Sequence, residues 1–146
     1  MSKLAFQRAF QELTEAEVTE LVEQASRVCF ASGTRILREG EINDHIFVIL
    51  AGTIRVAAYL DDGEERALCD PFGPGDTFGE MSFIDHLGAS ATLIAETDVT
   101  AKVVGRQLIE EMAARQPSFM ERLYLSLLFT LIRRLRRIDV ALSFAD

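Results

Sequence analysis

The amino-acid sequence predicts a mainly β fold with flanking helices: an antiparallel eight-stranded jelly roll, or β-roll, with N-terminal helices and one long C-terminal helix. Three observations predict it. All nine glycines lie between Gly33 and Gly105, so turn formers crowd the centre and are missing from both ends. Within that centre, short apolar runs alternate with turn pairs at the spacing of a β-sandwich or barrel. From Phe119 to about Leu142 there is neither glycine nor proline, and apolar residues recur at helical intervals.

Taken in order, Leu4, Phe6, Phe10 and Leu13 mark a short helical segment. Thr14-Glu15-Ala16-Glu17 has capping-box spacing, and Val18, Leu21, Val22 and Ala25 continue a helix that should end near Ser26. Val28–Ala31 and Arg35–Arg38 read as strands on either side of Gly33. His45–Ala51 is a nearly continuous apolar run, as for a strand buried on both faces, and Gly52 ends it. Ile54, Val56, Ala58 and Leu60 alternate with Thr53, Arg55, Ala57 and Tyr59, the pattern of a half-buried strand. Asp61-Asp62-Gly63 is a hairpin turn, and Glu65–Phe72 returns. After the Gly73-Pro74-Gly75-Asp76 turn, Ala91–Ala95 and Val99–Val104 close the sheets. Gln107–Arg115 reads as a helix, and Pro117 suits the first turn of the last one. The organisation expected is one domain over 1–146: helices in 1–26, a β-roll in 27–105, and helices in 106–142.

Composition narrows the function. A chain of 146 residues with 49% hydrophobic and 26% charged residues is an ordinary single globular domain. Its formal charge of −8 does not suit non-specific nucleic-acid binding. Cys29 and Cys69 lie in apolar strand-like segments and are expected as buried, reduced thiols. Met1-Ser2-Lys3 opens no signal-peptide core, and no apolar run approaches a membrane span, so a cytoplasmic protein without membrane contact is expected. Two histidines, His45 and His86, and no metal-ligand spacing leave no catalytic set, so neither an enzyme nor a metal site is expected.

The stretch from Gly75 to Thr92 reads GDTFGEMSFIDHLGASAT. Phe78-Gly79-Glu80 opens a short apolar segment, Met81–Ile84, long enough for one or two helical turns, whose free amides would suit an anion. An ionised Glu80 only accepts hydrogen bonds, so it suits a sugar hydroxyl and not a phosphate. Glu80 also reads as a capping or salt-bridging carboxylate, Phe78 as core, and Asp76 as a brace for the Gly75 turn.

This stretch (78–92) resembles the phosphate-binding cassette of cyclic-nucleotide-binding domains, in which F-G-E is followed by eight residues and then R-[ST/A]-A-T. Here eight residues, Met81–Gly88, follow Glu80, and Ala89 stands where the family has arginine. The runs Arg35–Gly40 and Ile46–Gly52 and the glycines 33, 40, 52, 75 and 79 also resemble the family's turns and early strands, so the resemblance spans about 10–140. It implies that Phe78, Gly79, Glu80, Met81, Ser82, Ala89, Ser90 and Ala91 line a ligand site for cAMP or cGMP, with Glu80 on the ribose hydroxyl and no other cofactor. Without the arginine's paired, charge-assisted bonds, affinity should fall by one to several decades. His86 lies close enough to be considered as a substitute cation.

Tyr124, Leu128, Leu131, Leu135, Ile138 and Leu142 are spaced 4, 3, 4, 3, 4, a heptad seam. Leu123, Leu127 and Ile132 form a second stripe. One stripe can cover the β domain and the other needs a partner, so a parallel two-fold homodimer through this helix is expected, in line with the family. Arg133, Arg134, Arg136 and Arg137 read first as a solvated, salt-bridged face and second as a patch for an acidic protein partner. In DNA-binding relatives a helix-turn-helix follows this helix. Only Ser143–Asp146 remain here, so a stand-alone sensor without DNA binding is expected. Two functions follow: a non-catalytic regulatory sensor of a cyclic nucleotide or related effector, or a degenerate module that keeps the fold for dimerisation or docking.

Overall fold

The computed structural model describes residues 2–145, with side chains described through residue 138. Helices α1 (Ser2–Ala9) and α2 (Glu15–Gln24) lead into strands β1 (Ser26–Phe30), β2 (Arg35–Leu37), β3 (His45–Ala51), β4 (Ile54–Tyr59), β5 (Glu65–Ala67) and β6 (Thr77–Phe78). Helix α3 (Glu80–Asp85), strands β7 (Thr92–Ala95) and β8 (Val99–Gly105), and helices α4 (Arg106–Arg115) and α5 (Phe119–Ala145) complete it. The eight strands form two antiparallel four-stranded sheets, ordered β1-β8-β3-β6 and β2-β7-β4-β5. The two-layer roll with helical ends is the predicted architecture.

Strand β3 shows why the apolar run at His45–Ala51 is nearly continuous. Ile46, Val48 and Leu50 join the core beneath the helices, whereas Phe47 and Ile49 join the core between the sheets. Side chains alternate across a strand, so a strand covered on both faces has few polar positions to offer. The helical core is filled by Phe6, Phe10, Leu21, Met112, Phe119, Leu123 and Leu127, all at most 1% exposed.

Helix α2 begins with a full capping box. Thr14 Oγ1 accepts from the Glu17 amide at 3.2 Å, and Glu17 Oε1 accepts from the Thr14 amide at 2.8 Å. The same carboxylate is gripped by Arg122 of α5, whose Nε donates to Oε1 at 3.0 Å. Burial works to raise the Glu17 pKa, but the hydrogen bonds from Arg122 and Thr14 together outweigh it and hold the carboxyl below the ordinary glutamate range. A lowered folded value means that Glu17 stabilises the fold fully above the ordinary pKa of about 4.3, and that this contribution fades as pH falls through the lowered value. The urea midpoint of the native chain should therefore fall more steeply with pH below about 4.3 than that of a Glu17→Gln variant. Parallel curves for the two proteins would show that Glu17 has no part in acid unfolding.

Three local expectations are corrected. The return strand over Glu65–Phe72 is regular only in β5; it ends at Ala67, positions 68–71 lie outside the ladder, and Phe72 rejoins as an isolated bridge to Ile54. Helix α2 ends at Gln24, because Ser26 already pairs with Val103 in β1. The cysteines are not buried: Cys29 is exposed on the edge strand β1, and Cys69 is half-buried, its thiol pushed up in pKa by burial.

Candidate functional site

The cassette is fixed at its entrance by a glycine. Gly79 has φ of 83°, and a Cβ there would overlap the Asn43 side chain and the His45 carbonyl. Asn43 Nδ2 donates to the Gly79 carbonyl at 3.1 Å and to the His45 carbonyl at 2.5 Å, tying the turn to the start of β3. Only a residue without a side chain fits that approach. The exit is fixed as well, since the Ala89 amide donates to the Glu41 carbonyl and the Gly40 amide to the Ala89 carbonyl, both at 2.8 Å.

Between these ends, α3 is held by its buried face. Phe83 is 1% exposed, with the Arg106 guanidinium 4.1 Å from its ring centroid. Arg106 also donates to the Phe83 carbonyl at 2.6 Å and to Asp44 at 2.5 Å. Ser82 spends its hydroxyl within the cassette, donating to the Leu87 carbonyl at 2.6 Å. Asp76 braces the preceding turn, as expected, by accepting from the Gly73 amide at 2.8 Å.

Phe78, Gly79, Glu80, Met81, Ser82, Ala89, Ser90 and Ala91 all line one cavity of about 90 Å³. Leu37, Val56, Phe72 and Leu93 from the sheets complete its apolar wall, and Arg134 of α5 enters from the other side. Phe78 also serves the inter-sheet core, stacked on Phe47 with ring centroids 4.5 Å apart. Met81 and Ser90 lie at the exposed rim, with the Ser90 hydroxyl 3.8 Å from the Met81 sulfur. An open groove along α2, lined by Glu15, Glu20, Glu23 and Arg115, lies apart from the cassette, and there Arg115 already pairs with Glu20.

The charge arrangement departs from the expectation of a solvated arginine face. Arg133, Arg136 and Arg137 are exposed, but Arg134 turns inward. Its Nη1 donates to Glu80 Oε1 at 2.6 Å, its Nη2 donates to the Thr77 carbonyl at 2.5 Å, and its guanidinium lies 4.1 Å from the Phe72 centroid. Glu80 is 2% exposed, and its second oxygen, Oε2, is buried with no hydrogen-bond partner among the described residues. A buried carboxylate oxygen left open is costly, and it is the kind of group a ligand hydroxyl satisfies.

The inward stripe of α5 explains Arg134. Leu123, Leu127, Thr130 and Arg134 are spaced 4, 3, 4, and the first three are buried. The second stripe therefore runs into Thr130 and Arg134, and Ile132 is only half-buried beside it. Of the heptad seam, Tyr124, Leu128, Leu135 and Ile138 are exposed and Leu131 is half-buried; the Leu142 side chain lies outside those described. His86 is exposed, holds the left-handed C-cap of α3 (φ 61°), and is not among the cavity-lining residues. Among the described residues there is no cluster of three metal-ligating side chains, and no helix is long and apolar enough to cross a membrane.

Comparison with known proteins gives consistent matches. The family model for the cyclic nucleotide-binding domain matches residues 27–116. The CRP-like cAMP-activated global transcriptional regulator of Mycobacterium tuberculosis is 31% identical over 128 residues, which cover 88% of this chain and 55% of that protein. The crystal structure of Thermus thermophilus catabolite activator protein superposes with a TM-score of 0.75 at 27% identity, covering 94% of this chain and 62% of that one. A cyclic nucleotide-binding domain from Methylobacillus flagellatus shares the fold, with a TM-score of 0.78 at 22% identity over 92% of this chain and 80% of that chain. The chain thus spans a little over half the length of the mycobacterial regulator.

Proposed function

Since the chain belongs to the cyclic nucleotide-binding domain family, we propose that it is a non-catalytic regulatory sensor that takes a cyclic nucleotide or a related small effector between its cassette and α5. The observation that carries this reading is the open Oε2 of buried Glu80 in the cavity wall. A ligand hydroxyl donating there would satisfy it, and α5 would feel the change through Arg134. The cavity of about 90 Å³ is smaller than the roughly 300–1,000 Å³ of typical ligand pockets. A cyclic nucleotide would therefore need α5 or the rim to move. Isothermal titration with cAMP and cGMP tests the reading: saturable binding at micromolar concentration is expected. Silence with both would favour the second reading, a dimerisation or docking module, which Ala89 and the Arg134–Glu80 contact support.

The output proposed is a parallel homodimer through α5 in a cytoplasmic protein. Tyr124, Leu128, Leu135 and Ile138, between 40% and 58% exposed, leave an apolar seam along the helix. Light scattering should give a dimer mass for the native chain and a monomer mass for a Leu128→Glu/Leu135→Glu variant. A native monomer at micromolar concentration would remove the dimer from the proposal.

A further inference from the structure

We propose that α5 carries a third, self-complementary stripe, Glu121, Leu125, Phe129, Ile132 and Arg136, which pairs antiparallel with the same stripe of a second copy. This goes beyond the parallel dimer, because it uses a face of the helix that the heptad seam leaves open.

The phase of α5 separates three faces. The stripe of Leu123, Leu127, Thr130 and Arg134 points inward to the core and the cassette. At about 100° per residue, the seam of Tyr124, Leu128, Leu131, Leu135 and Ile138 is centred about 90° further round. The third stripe is centred about 100° beyond the seam in the same sense, and its five residues fall within an arc of about 80°. A two-helix seam is a narrow one, so it does not cover this face. Leu125 and Phe129 are 39% and 38% exposed, Ile132 is half-buried, and Glu121 and Arg136 are exposed.

The charges at its ends say what covers it. The acid stands at the N-terminal end and the base at the C-terminal end, ~22 Å apart along the helix at ~1.5 Å per residue. Among the described residues neither Glu121 nor Arg136 takes part in a salt bridge. Laid antiparallel on itself, the stripe brings each Glu121 to the second copy's Arg136 and each Leu125 to the second copy's Ile132, with Phe129 near the two-fold axis. Laid parallel, it would set Glu121 on Glu121 and Arg136 on Arg136. The surface is therefore isologous, and its charges select the direction of its partner. Exposed ion pairs contribute little, and three apolar side chains fall short of a standard interface. The contact is thus weak and salt-sensitive, and it joins dimers only well above micromolar concentration.

Sedimentation equilibrium of the full chain, from micromolar to millimolar concentration at low salt, tests this. The native mass should rise above that of a dimer. Arg136→Glu should weaken this further association about tenfold or more, since each contact then sets two acids against two acids. Glu121→Arg/Arg136→Glu, with the charges exchanged, should recover it, and recovery also shows that the single substitution leaves the fold intact. A native chain that stays a dimer throughout, association unchanged in Arg136→Glu, or no recovery on exchange overturns the proposal. Monomers that pair only at high concentration, with the same dependence on charge, remove the parallel seam and leave the stripe standing.

Discussion

An Ala89→Arg variant binds cAMP about ten- to a hundredfold more tightly than the native chain, because it restores a planar cation at the rim of the cavity. The backbone at residue 89 is held on both sides by Glu41 and Gly40, so the new side chain starts from a fixed point. Two charge-assisted bonds to a phosphate contribute roughly 1.5–3 kcal/mol each. Ordering the arginine removes about 2 kcal/mol of that gain, and the desolvation of ligand and side chain takes more. A net gain of about 1.4–2.8 kcal/mol is one to two decades of affinity. The change also lowers the magnitude of a net charge of −8 that opposes any anion. Titration of both proteins under one salt condition measures the ratio. An unchanged ratio would mean that the ligand's phosphate lies away from residue 89.

A Phe83→Ala variant loses about 3–5 kcal/mol of stability, read from the urea midpoint, and its cassette loosens with it. Phe83 is 1% exposed in the core beneath the helices. Its ring also seats Arg106, which bonds the Phe83 carbonyl and Asp44. Helix α3 has six residues and no side-chain cap at its start, so neither length nor capping sustains it. Packing must do so, and Phe83 is the only residue of α3 that belongs to the helical core. A loss below about 1 kcal/mol, the scale of an ordinary substitution, would show that the cassette is held by its two fixed ends alone.

Much of this molecule was legible in the sequence. The Thr14–Glu17 cap, the doubly buried run at His45–Ala51 and the confinement of glycine to the roll follow from local rules of hydrogen bonding and alternation. The cassette residues were legible as a linear segment, because their spacing along the chain is what brings them around one cavity. Arg134 was not. It is 54 residues from Glu80 in sequence, and it sits in an arginine-rich run whose ordinary fate is solvent. The available signal was helical phase: Arg134 continues the Leu123, Leu127, Thr130 stripe, and an arginine on an inward stripe needs a buried partner. Cys29 misled for the opposite reason. Its neighbours are apolar, but β1 is an edge strand, and edge position is a property of the sheet and not of the segment.

Two arginines of α5 form salt bridges to the rest of the protein among the described residues, Arg122 to Glu17 and Arg134 to Glu80. The two lie twelve residues apart on one rigid rod, a separation of ~18 Å at ~1.5 Å per residue. One anchor grips the helical layer and the other the cassette, so the rod works as a gauge block between them. Its tolerance is angular as well as linear, since one residue more or fewer between the arginines would turn the second by about 100° and point it away from its carboxylate. Twelve residues of α5 thus set the phase as well as the distance at which the two halves of the molecule register.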